Sequence, residues 1–375
     1  MRKLLKILIM TLALLAAAGM ALFYWLPLPD CQLAVYTVPE ELVVAPDGQF
    51  AYLSDSHAKR LLVFSLADNR LAANLPLPAS TREIAVSRDG AKAYLLAVDP
   101  AGAILVVDTA SKKVERRIEI DGNPAGLGVS ADGSRLYTVQ TGLRRLAALD
   151  AVSGKVVASV PLEDGGAAIA VAPDGKSVIV GHAHGVAVFD AQGLRSSMDY
   201  DTREAVARFA LSPDGTRLAY SIRGRETGVR LLDLPSGTTE TRATLGRLGE
   251  TAFTTDGAAV VASNVMMPGE RHGSLSIMPA HIPQEVKGAI VPSIAPDRSV
   301  SLPLDKFPHA ITTDAKRNRI DVVAAPLQGE PAVEVIDGMT YKLLDRIPLP
   351  DAKTWLDKFV AWRVKVLRSE PAKCP

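Results

Sequence analysis

The stretch that decides the fold runs from residue 126 to residue 162: GLGVSADGSRLYTVQTGLRRLAALDAVSGKVVASVPL. It holds four short apolar runs, GLGVS, RLYTVQ, RLAALD and KVVASVPL, separated by ADGS, a brief polar turn and AVSG. Runs this short between turn signals read as strands, and four in succession read as an antiparallel meander. Asp-Gly suits the first turn, because Asp tolerates a left-handed backbone and Gly adopts positive φ without a steric penalty.

The unit recurs. The turn aspartate stands at Asp47, Asp89, Asp132, Asp174, Asp214 and Asp256, at spacings of 42, 43, 42, 40 and 42 residues. A seventh unit is degenerate: PHAITTDAKRNRIDVVAA aligns with PAGLGVSADGSRLYTVQT and puts Lys316 and Arg317 where Asp and Gly stand elsewhere. Four strands per period of this length predict an all-β chain, a seven-bladed β-propeller of four-stranded antiparallel blades over residues 29–350. Blade six is expected to carry an insertion at 264–308, where Pro-rich sequence with weak periodicity interrupts the pattern. An open array would leave an unpaired sheet edge. LAVYTV at 33–38 aligns with the outer strands, so it is expected to close the ring beside YKLLDRI at 341–347.

The repeat resembles the YVTN family of propellers, whose units read as Pro-x-Gly and a hydrophobic strand, a Ser-Pro-Asp-Gly turn, a Tyr-Val strand and a Val-x-Asp strand end. Pro124, Gly126, Tyr137, Asp108, Asp150, Asp190, Asp233 and Asp337 match that pattern, over about residues 32 to 350, although the namesake Asn is mostly absent. The resemblance implies the fold. It does not imply one chemistry, because this family and its lactonase-like relatives share a scaffold across different functions.

The ends of the chain point to export. Arg2, Lys3 and Lys6 precede an uncharged apolar run from Ile7 to Leu28, long enough to span a bilayer as a helix, with Phe23, Tyr24 and Trp25 as an interfacial belt. Residues 1–28 are therefore expected to form a basic cytoplasmic end and a transmembrane signal-anchor, with the propeller in the bacterial periplasm. Cleavage as a signal peptide is the alternative, given the small residues between Ala16 and Ala21. Cys31 and Cys374 are the two cysteines, and in an oxidising compartment they are expected to pair if the fold brings the termini together. At 351–375 Trp355, Phe359, Trp362 and Val366 fall at helical spacing among basic residues, which predicts a short amphipathic helix. A net charge of +1 gives no footprint of a nucleic-acid binder.

Candidate site residues follow from register. Propellers take ligands over the central channel, where the innermost strands begin. Counting six residues back from each turn reaches Glu41, Glu83, Gly126, Ala168, Arg208, Glu250 and Ala310, and counting seven back adds Glu40, Arg82 and His309. Glu40, Glu41, Arg82, Glu83, Arg208, Glu250 and His309 are the expected ligand-binding residues. Carboxylates gathered near one axis repel unless they pair, stay hydrated or bind a cation. Glu41, Glu83 and Glu250 are accordingly weak candidates for a divalent cation; no other cofactor is expected. His182 and His184 in VGHAHGV look like a metal pair, but the strand reading supplies no third ligand, and a strand-end or loop role is preferred.

No Gly-x-Ser-x-Gly elbow, His-Glu-x-x-His motif, phosphate-binding loop or Cys-x-x-Cys-His haem site occurs. The reading is a binding or scaffold module for a periplasmic or membrane protein or a small ligand, acting through the channel mouth and the blade-six insertion. Met266, Met267 and Met278 of that insertion are compatible with adaptable contacts. The alternative is a lactonase-like hydrolase with a Glu/Arg/His site at the mouth.

Overall fold

The computed structural model describes residues 39–98, 102–221, 228–244, 247–266, 273–280, 300–304, 307–325 and 331–350, all within the compact unit Thr37–Pro350. The expected signal-anchor, the segment 33–38, the C-terminal helix, Cys31 and Cys374 lie outside the described residues. Among the described residues no helix is long and apolar enough to cross a membrane.

Each repeat folds as one four-stranded antiparallel sheet, and the described residues make seven of them, at 39–76, 81–119, 124–161, 168–201, 209–243, 247–303 and 307–348. Strands follow one another across every sheet in chain order, and the first strands of neighbouring blades lie against each other, so the first strand is innermost. The four described strands of the last blade come from one stretch of chain, Phe307 onward.

Alternation along each strand builds the core. Side chains on a strand point to opposite faces in turn, and a blade has a neighbour on both. In the strand Arg60–Ser65, Leu61 and Val63 enter a cluster with Ile84, Leu95 and Leu105 of blade two, while Leu62 and Phe64 enter one with Val323, Val333 and Val335 of blade seven. Seven such clusters occur, one at each seam between adjacent blades. A fully buried Leu or Phe contributes about 1.5–3 kcal/mol, so the apolar runs stabilise the ring only when both neighbours are present. Polar stitches recur at the seams as well: the Tyr137 hydroxyl donates to Ala191 O at 2.7 Å and Arg217 Nη1 to Ala280 O at 2.7 Å.

The Asp-Gly pairs sit in the hairpins joining first and second strands. Gly133 has φ +71°, and Asp132 Oδ1 accepts from Ser134 N at 3.0 Å and from Ser130 Oγ at 2.5 Å. The seventh hairpin works differently. Asp314 Oδ1 accepts from Lys316 N at 2.9 Å, the left-handed residue is Asn318, and Lys316 Nζ and Arg317 Nη1 donate to Asp47 O and Gly48 O of blade one. Arg60 Nη2 to Pro350 O at 2.8 Å and Arg319 Nη1 to Asn69 Oδ1 at 2.7 Å complete that seam. The basic pair that degrades the repeat thus latches the last blade onto the first.

Blade six corrects the expected insertion. Ser274–Pro279 and Val300–Pro303 are its third and fourth strands, so 264–308 is not one inserted block. The lengthened connections are 267–273 and 280–299. Met278 is 1% exposed and packs at the seam with blade five, not on a contact surface. Its alternation with Leu275 and Ile277 was obscured by the long connections on either side. The side chains of Met266 and Met267 lie outside the described residues.

Candidate functional site: the channel mouth and its rim

In a meander, the start of the first strand, the hairpin joining second and third strands, and the link from the preceding blade share one face of the ring; the Asp-Gly hairpins share the other. The expected mouth residues all lie on the first of these faces. The long connection 280–299 joins third to fourth strand and so leaves and re-enters blade six on the second, turn-bearing face. The connection between Met266 and Ser274 joins second to third strand and so opens on the mouth face; the two lengthened connections of blade six leave from opposite faces.

In five of the seven blades, all but the fourth and fifth, the first strand opens with a register shift of the β-bulge kind. Pairing skips Glu40 between Pro39 and Glu41, Arg82 between Thr81 and Glu83, Gly126 between Ala125 and Leu127, and His309 between Pro308 and Ala310; in blade six it jumps from Leu248 to Thr251, past Glu250. A bulge inserts an unpaired residue and re-aims its neighbours. The sequence register located these positions by counting from the turns but carried no sign of the bulges.

The re-aimed acids reach from blade to blade. Ile84 N donates to Glu41 Oε2, and Gly126 N donates to Glu83 Oε1 at 3.2 Å, so each glutamate clasps the first strand of the next blade. Arg208 of blade five pairs with Glu250 of blade six, whose own N–H donates to Ser263 Oγ at 2.8 Å. Burial, then the charge of Glu83, holds the Glu41 carboxyl well above the usual carboxylate range, against the pull of the Ile84 N–H and Arg208; Glu250 adds to the rise. Burial also raises Glu83, opposed by the Gly126 and Leu127 N–H groups, Arg208 and Arg82. Glu41 keeps partial contact with solvent, so the channel is wet there, but the surrounding protein strips much of the hydration an exposed carboxylate would have. Groups from blades one, two, five and six thus act on one another across the channel. His309 is half-buried, and burial lowers its pKa. Arg82 is exposed, and the side chain of Glu40 lies outside the described residues.

Blade four adds a group that the sequence reading did not assemble. His182 and His184 lie not along a strand but in the tight hairpin 182–185, where His182 N donates to Gly185 O at 2.8 Å. A Cβ on Gly185 would stand 1.9 Å from Tyr200 O, so glycine alone lets this hairpin lie flush on the outer strand. Asp164, on the link from blade three, comes within 3.1 Å of His184 Nδ1 (through Oδ1) and 3.9 Å of His182 Nδ1 (through Oδ2). Asp199 Oδ1 lies 3.2 Å from His182 Nε2. Asp164 stands eighteen residues before His182, in a linker with no pattern of its own, so spacing gave no signal for it.

Compared with known proteins, the chain matches no family model and no curated protein. Among solved structures it is similar to a chain of Kuenenia stuttgartiensis hydrazine synthase, with a TM-score of 0.67 and 15% identity over 82% of this chain and 97% of that one. That likeness supports the seven-bladed propeller. Membership of the YVTN family is not shown.

Proposed function

We propose that the chain is a membrane-anchored periplasmic propeller serving as a binding or scaffold module for a protein or small ligand through its channel mouth. The observation that carries this reading is Glu41. Glutamine at this position would keep an acceptor for the Ile84 N–H without the penalty of a crowded, partly desolvated charge, so folding alone does not account for a carboxylate here. A cationic group of a ligand, entering between Glu41, Glu83 and Glu250, would take the place of the proton that their proximity favours. The anchor would keep the propeller at the membrane, and the blade-six connection between third and fourth strands, on the face opposite the mouth, would be a separate contact surface.

The test is capture from native membranes with the full-length, detergent-solubilised chain as bait, wild type against a Glu41→Gln/Glu83→Gln double variant. The wild type should retain a partner or ligand that the variant loses, with the variant's thermal unfolding midpoint equal or higher. The same species recovered at the same yield by both baits would remove the mouth as the binding surface.

A further inference from the structure

We propose that Asp164, His182 and His184 form a binding site for one divalent first-row transition-metal ion, of the Zn²⁺ or Co²⁺ kind, on the rim of blade four. His182 is 5% exposed, and its ring is fixed from both sides. With Nε2–H donated to Asp199 at 3.2 Å, Nδ1 carries the lone pair. That lone pair faces Asp164 Oδ2, itself an acceptor, at 3.9 Å, and its one donor is the His184 N–H at a long 3.4 Å. Two acceptors this close, with one long donor between them, would both be satisfied by a cation lodged between them.

The spacing fits an ion. Ligand atoms about 2.0–2.2 Å from a tetrahedral metal stand about 3.3 Å from each other, and Asp164 offers a different oxygen to each ring, Oδ1 at 3.1 Å from His184 Nδ1 and Oδ2 at 3.9 Å from His182 Nδ1, on either side of that value. One donor atom from each of the three residues lies within 4.8 Å of the others. Two imidazoles and one carboxylate suit borderline transition ions; Ca²⁺ and Mg²⁺ prefer all-oxygen sets. Asp199 supplies the outer carboxylate that orients a metal-bound imidazole and raises its basicity.

A set of ion pairs, with an imidazolium at His182 held between Asp199 and Asp164, is the competing account; it would call for a hydrogen bond from Nδ1–H, and Asp164 Oδ2 at 3.9 Å stands beyond hydrogen-bond distance. Three protein ligands on a surface where Asp164 and His184 are exposed leave a further coordination position for water or a ligand oxygen. The site is separate from the glutamate ring and stands or falls independently of it.

Full-length untagged chain, stripped with chelator, is titrated with Zn²⁺ by calorimetry and with Co²⁺ by visible absorption. One saturable equivalent is expected, with the d–d bands of a low-coordinate N/O site. His184→Ala and Asp164→Asn should each weaken binding at least tenfold, and Asp199→Asn by about tenfold through the outer sphere. Asp132→Ala, in a hairpin turn on the opposite face, should leave it unchanged. Both ligand variants alter exposed side chains, and an unfolding midpoint in chelator equal to the wild type confirms that they fold. X-ray absorption on the wild type loaded with Zn²⁺ should show two imidazoles in the first coordination sphere and needs no variant. No saturable binding, binding unmoved by His184→Ala, or a first sphere without imidazole would each overturn the assignment.

Discussion

Both faces of this ring carry carboxylates, and the two sets behave in opposite ways. On the turn face Asp89, Asp132, Asp214 and Asp256 are held below the usual range, first by the hydroxyl of a Ser or Thr two residues earlier and then by a backbone N–H of the same turn; Asp132 reaches about 2. At the mouth Glu41 and Glu83 are pushed up, first by burial. An aspartate that recurs in register finds a backbone N–H of its own turn in all six hairpins, because the turn recurs, and a hydroxyl in four of them. A glutamate that occurs in some blades, where others have Gly126, Ala168 or Ala310, has no such local set and depends on the next blade or on charges across the axis. Repetition marks scaffold here, and departure from it marks the surface with chemistry to spare.

The largest effect that could break this comparison lies at the closing seam, where a third kind of acid belongs to neither face. Asp321 is buried in blade seven, and burial pushes its carboxyl up to about 6 despite Arg319, whose Nε lies 3.1 Å from Asp321 Oδ1. Arg319 also spans the seam to Asn69. Arg319→Met should cost about 3–5 kcal/mol at neutral pH, since it leaves Asp321 buried without its adjacent counter-charge, while Asp314 keeps Arg317 at 2.9 Å. A carboxyl whose folded pKa exceeds its unfolded value stabilises the fold when protonated, a contribution fully present below about 4 and lost as pH rises through the folded pKa. Part of the loss in Arg319→Met should therefore return between pH 7 and pH 5, as urea unfolding would measure. A loss under about 1 kcal/mol, flat with pH, would mean that burial does not govern the acids of this ring.

Much of this was legible from residues 126–162 alone. Asp-Gly spacing is imposed by hairpin geometry, so it located the blades, and counting back from it reached Glu41, Glu83, Arg208 and Glu250 without any knowledge of structure. Contacts made between units rather than within them were not legible. The clasp from Glu83 to Gly126 N joins residues forty-three apart, and Asp164 meets His182 only because the link and the hairpin come to the same rim. The position of the blade-six connection was missed for a related reason: Ser274–Pro279 and Val300–Pro303 are ordinary strands, but the long segments around them hid the period.

Glu41→Gln sharpens the comparison from the mouth side. Its carboxyl is raised in the folded state, so at neutral pH the wild type bears a penalty that disappears as pH falls toward the unfolded value. The variant should be more stable by about 1–2 kcal/mol at pH 7, in the range of other single stabilising changes. The advantage should shrink toward pH 4, where both side chains are neutral. Denaturant midpoints measured at both pH values decide it. A variant less stable than wild type at pH 7 would show that the charge itself supports the fold, and the case for a ligand there would lose its foundation.

The turn face should answer with the opposite sign and a smaller amplitude. Asp132 accepts from Ser130 Oγ, Ser134 N and Ser134 Oγ, all within its own turn, and a Cβ on the adjacent Gly133 would touch nothing, so the aspartate's partners are local. Asp132→Ala should cost roughly 0.5–1 kcal/mol at pH 7, the net worth of ordinary hydrogen bonds in water. A lowered carboxyl stabilises the fold above its unfolded pKa and loses that contribution as pH falls through the folded value. Wild type and variant should therefore converge as pH falls from about 4 toward 2, while the Glu41 pair converges on approaching pH 4 from above. If the two pairs converged over the same interval, or if Asp132→Ala matched wild type at pH 7, the repeated acids would not be holding their turns, and the distinction between the two faces would have to rest on geometry alone.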